Sequence, residues 1–204
     1  MARRTPPDRR EAILTAARAE FAAKGYAATR LDDVAARVGI SKAALYLQFA
    51  DKAGLFCEMV EWMLETSLPG ALPRELAGAP PRDQLSALVR FGARKLVEPD
   101  VAFLPRLVIG ESGNFPEIAQ AYHDRAIRRI LSLMEQIIAR GVADGSFRPV
   151  DPHLAARSVG GALLLGTLWK TVFEPIGADP VDMDALAAAH VDVILRGLSN
   201  GGER

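Results

Sequence analysis

The sequence predicts an all-α protein, and three observations carry that expectation. Every long segment repeats its apolar residues at helical spacing, no stretch shows sustained polar/apolar alternation rich in β-branched residues, and Pro, Gly and Ser/Thr/Asp breakers divide the chain into about nine helices. With 204 residues, half of them hydrophobic, the chain can bury a substantial core and fits one large or two small domains.

The elements follow in order. Pro6-Pro7 precede Asp8, which with Glu11 forms a capping box for a helix whose inner face is Ile13, Leu14, Ala17 and Phe21, ended by Gly25. Thr29, with Asp32 three residues on, opens a second helix that buries Val34, Ala35 and Val38 and stops at Gly39. Ser41 caps a third over 42–48, and Asp51 caps a fourth over 52–67. Beyond a Pro/Gly-rich linker at 69–81, helices are expected at 83–96, 101–111, 116–141, 152–173 and 181–198, with Pro105 kinking or breaking the second of these.

Composition narrows the function classes. The longest apolar run, around Val159 to Trp169, is interrupted by glycines and is too short to span a bilayer, so no membrane partner is expected. A single cysteine, Cys57, permits no intrachain disulfide, and no positively charged start precedes an apolar stretch, so the expected location is the cytoplasm. Cys57 reads as a small buried hydrophobe or, alternatively, a sensor thiol. His123, His153 and His190 lie far apart without ligand spacing, so no metal or other cofactor is expected. No phosphate-cradling glycine loop or nucleophile elbow is present, which argues against an enzyme.

Net charge is zero, but its distribution is uneven. Residues 1–52 carry ten Lys/Arg against six Asp/Glu, a net of +4, and residues 53–204 carry fifteen against nineteen, a net of −4. The basic end is therefore the candidate nucleic-acid face.

Within it, Thr29 to Phe56 reads as short helices joined by tight turns. Small Ala35, turn-forming Gly39 and apolar Leu45 are spaced for two helices crossing steeply, which leaves the outer face of 42–48 free to enter a major groove. Over residues 8–57 this pattern resembles the TetR family of transcriptional regulators through Thr29, Gly39, Ile40, Ser41, Lys42, Leu45, Tyr46, Phe49 and Lys52. The resemblance implies a homodimer with a helix-turn-helix head at 1–51. It implies a ligand-binding and dimerisation bundle of about six helices at 52–204, entered through the linking helix 52–67. It also implies that Thr29, Tyr46 and Lys52 contact phosphates of a double-stranded operator. Base readout falls to Lys42, Ala43, Leu47 and Gln48, with Gln48 able to pair with adenine. The family commonly carries glycine and a hydroxyl residue where this chain has Ala43-Ala44, and histidine or an aromatic where it has Leu47-Gln48, so the operator is expected to be its own. The stretch Arg106 to Pro116 and the helix opened by Asp151-Pro152 resemble one C-terminal subclass of these regulators.

In the second half, the 152–173 segment carries more apolar surface (Val159, Leu163, Leu164, Leu168, Trp169) than one core-facing stripe needs, with Gly160, Gly161 and Gly166 allowing close approach. Pairing of 152–173 and 181–198 with a second copy would cover it. Met59, Trp62, Met63, Phe91, Phe103, Leu107, Tyr122 and Trp169, with Glu111 or Arg106 as polar partners, are candidates to line a pocket for a small apolar ligand; apolar stripes at this spacing more often form plain core, and a structural salt bridge explains Arg106 and Glu111 equally well. The expected function is thus a repressor released from a palindromic operator by that ligand. A helical carrier or enzyme, or a ligand-independent activator, are the alternatives.

Overall fold

The computed structural model describes residues 6–67, 76 and 78–200. The basic pair Arg3-Arg4 and most of the 69–81 linker lie outside them. Among these residues ten α-helices follow one another: α1 Pro6–Ala28, α2 Leu31–Val38, α3 Lys42–Tyr46, α4 Lys52–Ser67, α5 Pro81–Lys95, α6 Pro99–Glu111, α7 Pro116–Tyr122, α8 Arg128–Ala143, α9 Pro152–Leu168 and α10 Met183–Leu198. Among the described residues there is no strand. The all-α expectation is met.

Several boundaries moved for identifiable reasons. α1 opens at Pro6, so Asp8 lies within the helix rather than ahead of it. Gly25 ends the regular part of α1 at φ 78° and ψ 177°, a conformation that only glycine adopts without strain. Thr29 does not cap α2: that position belongs to Arg30, and the Thr29 hydroxyl turns back to donate to the Gly25 carbonyl at 2.6 Å. Pro105 does not break α6, which runs through it and lacks only the hydrogen bond that proline cannot donate. The helical run after Pro116 passes through a π-helical turn at His123–Ile127 before α8, and α9 continues into another at Trp169–Phe173. Asp151 and Asp182 cap α9 and α10 by accepting from the backbone N–H groups two and three residues ahead.

The chain forms two compact units, Met1–Thr66 with Leu107–Ala126, and Ser67–Arg106 with Ile127–Arg204. In the first, the face expected from sequence is the core: Ile13, Leu14, Ala17 and Phe21 are fully buried, with Tyr26, Val34, Leu45, Phe56, Met59 and Ile118. Its centre is aromatic, with Tyr26 stacked on Phe21 at 5.7 Å and edge-on to Phe56 and Phe115 at 5.6 and 5.1 Å.

In the second unit Leu85, Leu88 and Val89 of α5, Met134, Ile137 and Ile138 of α8, Val159 and Leu163 of α9, and Ala187 and Val191 of α10 form one core. Gly166, expected to face another chain, instead admits Met183 and Leu186 of α10: a Cβ there would come within 2.7 Å of Leu186 and 2.9 Å of the Met183 sulfur. Gly141 has the same role for Phe147, whose ring folds over the end of α8 while its N–H donates to the Gly141 carbonyl at 2.8 Å.

Alanine at Gly141 tests which of two effects wins. Helix propensity favours alanine by about 1 kcal/mol, but the added Cβ would sit 2.2 Å from the Phe147 ring, and overpacking of this kind costs about 1–3 kcal/mol. Gly141→Ala is expected to lower the melting temperature; a rise would show that the ring yields freely.

Candidate nucleic-acid interface

The turn between α2 and α3 is built from local signals. Gly39 takes φ 74° after α2, and its N–H and that of Ile40 donate to the carbonyls of Ala36 and Ala35, closing the helix end. Ser41 Oγ then accepts from the Ala44 N–H at 3.2 Å and starts α3. Leu45 is fully buried and Phe49 nearly so, which pins α3 by one side. The helix ends at Tyr46 rather than Gln48, but Leu47 keeps helical backbone angles and donates to the Ala43 carbonyl at 3.1 Å, so its side chain continues the helical register.

The residues expected to read bases are all on the outside. Lys42, Ala43, Leu47 and Gln48 are exposed, and so is Tyr46. Lys42 is also held by Asp32 of α2 at 2.9 Å and lies 5.8 Å from the Tyr46 ring centre. The hydrogen bond to Asp32 raises the Lys42 pKa above the usual lysine value.

Two expected phosphate-contacting residues are placed differently. Thr29 is 2% exposed, with its hydroxyl proton committed to Gly25. Lys52 points its ammonium back at the link between α1 and α2, donating to the carbonyls of Tyr26, Ala27 and Thr29 at 2.7, 3.2 and 3.2 Å. The same ammonium lies over the Tyr26 ring, 4.5 Å from its centre, and 5.7 Å from that of Phe115. Partial burial there lowers the Lys52 pKa, opposed by the charges of Glu111 and Glu117. The α4 N-terminus itself is capped as expected, with Asp51 accepting from the Gly54 N–H at 2.7 Å.

The link is gripped by an anion as well. Glu111 at the end of α6 accepts from the backbone N–H groups of Tyr26 at 2.9 Å and Ala27 at 2.7 Å, and Glu117 accepts from the Tyr26 hydroxyl at 3.2 Å. Burial, with the Glu117 charge, pushes the Tyr26 phenol well above its ordinary pKa. The sequence offers Glu111, with Arg106, as a polar partner for a pocket or as half of an ion pair; nothing local identifies the backbone N–H groups that it meets. It also passed over Glu20, a nearly buried carboxylate that pairs with Lys24 at 2.7 Å and with Arg37 of α2 at 2.8 Å, Lys24 in turn reaching Asp33.

The remaining pocket candidates divide between the units. Met59, Met63 and Leu107 are core of the first unit, where Trp62 is half-buried beside the Arg18 guanidinium and Tyr122 is half-buried with its phenol pKa pushed up to about 12 by desolvation. Phe103 is buried and Phe91 half-buried in the second, where Trp169 donates its indole N–H to the Asp179 carbonyl at 2.8 Å. Arg106 is exposed. Among the described residues no group of three or more His, Cys, Asp or Glu is placed to hold a metal ion, and no helix is long and apolar enough to cross a membrane.

The hydrogen bond from Lys24, with a smaller contribution from Arg37, depresses the Glu20 pKa below its ordinary 4.5. A carboxyl depressed in the folded state stabilises it above the unfolded pKa, and that stability is lost as pH falls through the folded value. Glu20→Gln should therefore melt below the wild type at pH 7, with the gap closing as pH drops below about 4.5; a gap independent of pH would deny Glu20 its charged role.

Comparison with known proteins gives this geometry its family. Residues 13–59 match the model of bacterial regulatory proteins of the tetR family, and residues 83–197 match that of the C-terminal domain of AefR-like transcriptional repressors. YerO, an HTH-type transcriptional regulator of Bacillus subtilis, is 35% identical over 80 residues, 38% of this chain and 28% of YerO; AcrR of Shigella flexneri is 36% identical over 91 residues, 43% and 41% of the two chains. The chain thus matches less than half the length of either. The HTH-type transcriptional repressor KstR2 of Rhodococcus jostii is 28% identical over 202 residues, covering 94% of this chain and 92% of KstR2. The fold is shared with a TetR-family regulator from Mesorhizobium loti at a TM-score of 0.75 and 24% identity, over 97% of this chain and all of that one. It is shared too with FadR of Bacillus subtilis, solved in complex with stearoyl-CoA, at 0.76 and 18%, over 92% and 98%. With the AefR-like model spanning more than half of its length and the tetR model spanning its exposed α3 face, the chain belongs to the TetR family of helix-turn-helix transcriptional regulators, which are DNA-binding proteins and not enzymes.

Proposed function

We propose that the protein is a homodimeric cytoplasmic repressor that holds a palindromic operator and is released from it by a small apolar ligand. The observation that carries the DNA part is the α3 face: Lys42, Ala43 and Tyr46 of α3, with Leu47 and Gln48 of the turn that ends it, are all exposed, and the helix is fixed by the Ser41 cap and buried Leu45. In this reading residues 1–51 are the DNA-binding head and 52–204 serve ligand binding and dimerisation. Tyr46 donates its phenolic O–H to a phosphate, and Gln48 pairs with adenine. Thr29 and Lys52 meet phosphate at the edge of this face, Thr29 through the backbone that follows it and Lys52 by exchanging carbonyls for a stronger acceptor.

Dimerisation is supported by apolar side chains that the second unit leaves uncovered. Leu154, Leu164 and Leu165 of α9 are exposed, with Val172, Phe173 and Ile176 beyond it and Val193 of α10. Leu165 is 60% and Ile176 80% exposed. An operator made of two half-sites needs the recognition helices of two copies about one DNA turn apart, ~34–36 Å. The ligand acts by favouring a state in which movement of α4 changes that spacing. Stearoyl-CoA, bound by the similarly folded FadR, joins an apolar acyl chain to a charged coenzyme A and is the first probe to try beside fully apolar compounds.

Selection of bound sequences from a random duplex pool is expected to enrich an inverted repeat, and an apolar compound or the acyl-chain-bearing stearoyl-CoA to dissociate the retarded complex in a gel shift. Recovery of no enriched sequence would sink the regulator reading. Gln48→Ala is expected to relax the preference at one position of each half-site, by about 1–3 kcal/mol, leaving the other positions as they were; an unchanged preference profile would remove Gln48 from direct readout. Leu165→Glu should halve the mass measured by analytical ultracentrifugation, and a variant that sediments as the wild type would place the dimer elsewhere.

A further inference from the structure

We infer that Leu47 reads the C5-methyl group of a thymine, so that each operator half-site contains one position recognised by its methyl rather than by hydrogen bonds. The inference rests on the DNA-binding reading above and deepens it.

Its basis is the direction in which α3 faces. At ~100° per residue, Ala43 and Leu47 fall ~20° to either side of the direction opposite the buried Leu45. They form the outward pole of the helix, the part that goes deepest into any groove that α3 enters. Leu47 keeps this register because its backbone stays helical and its N–H donates to Ala43. The polar helix residues Lys42 and Tyr46 lie on one flank, where Lys42 is tied to Asp32, and Gln48 follows in the turn after α3.

The pole therefore offers a base pair no hydrogen-bond donor or acceptor. Leu47 is 87% exposed, the highest exposure among the large hydrophobic side chains described. Beside it Ala43 is small enough to let the helix come close. The floor of the major groove presents one apolar group, the thymine C5-methyl, and a leucine there gains by covering it. The same chemistry would accept 5-methylcytosine, whose methyl occupies the corresponding place on the pyrimidine.

The test uses the full-length protein and the operator obtained by selection, each thymine being replaced in turn by deoxyuridine, which differs only in lacking the methyl. Wild type is expected to lose about fourfold in affinity at one thymine per half-site, the effect of uncovering one methyl, and little at the others. Leu47→Ala should bind the thymine and deoxyuridine duplexes alike, whereas Leu47→Ile should retain the discrimination. Cytosine at that thymine should bind more weakly than 5-methylcytosine by a similar factor. Because Leu47 is exposed, neither substitution puts the core at risk. Wild-type binding indifferent to every deoxyuridine substitution would overturn the assignment, and so would an Ala variant that still discriminates as the wild type does, since another residue would then read the methyl. Failure to select any duplex would overturn the regulator reading itself, a result separable from these two.

Discussion

The first unit depends on how the short link from Tyr26 to Thr29 is held. Gly25 turns the chain out of α1, leaving the carbonyls and amides of the following residues without helical partners. Lys52 supplies a cation to three of the carbonyls and Glu111 an anion to two of the amides. A positive charge beside the C-terminal carbonyls of α1 also complements that helix's dipole. Carbonyls need a donor and amides an acceptor, so neither side chain replaces the other. Because α2 starts immediately after this link, the direction of α2, and through the Gly39 turn that of α3, follows from where the starts and ends of α4 and α6 place these two charges.

What was legible in the sequence was whatever the chain settles within a few residues. The Gly39 stop, the Ser41 and Asp51 caps, the inner face of α1 and the outward residues of α3 were all readable, since each is a local backbone requirement or a helical repeat. Thr29 and Lys52 were found as special positions but with an incomplete physical role. A threonine after a helix can cap the next one or close the last, and a lysine at a helix start can face phosphate or carbonyl; sequence spacing is the same for both. Glu111, Glu117 and Glu20 act on partners brought in by the fold. Their hydrogen bonds leave no pattern to read along the chain. The role of Gly166 was misread for a related reason, since a small residue permits close approach without naming the neighbour.

The electrostatics of the head also differ from what the charge count suggests. The net excess of positive charge is real, yet Arg10, Lys24, Arg37 and Lys42 each have a carboxylate within ion-pair distance. Pairs as exposed as Lys42–Asp32 contribute little to stability, so a phosphate can draw the lysine away at small cost. The Glu20 pairs are different. There the carboxylate is nearly buried, its two partners fix α1 against α2, and withdrawing either cation would leave a charge out of water.

Gly25 turns the backbone, but its missing side chain matters as much. A Cβ there would come within 2.5 Å of Glu111 Oε1, the oxygen that receives the Tyr26 N–H. The carboxylate thus occupies the space that any other residue at position 25 would fill. Over evolutionary divergence the two positions are not independent: a lineage that loses the acid frees room for a side chain but must find another acceptor, and one that loses the glycine evicts the acid. Between related chains they should change as a pair, a covariation signal joining the first helix to the sixth.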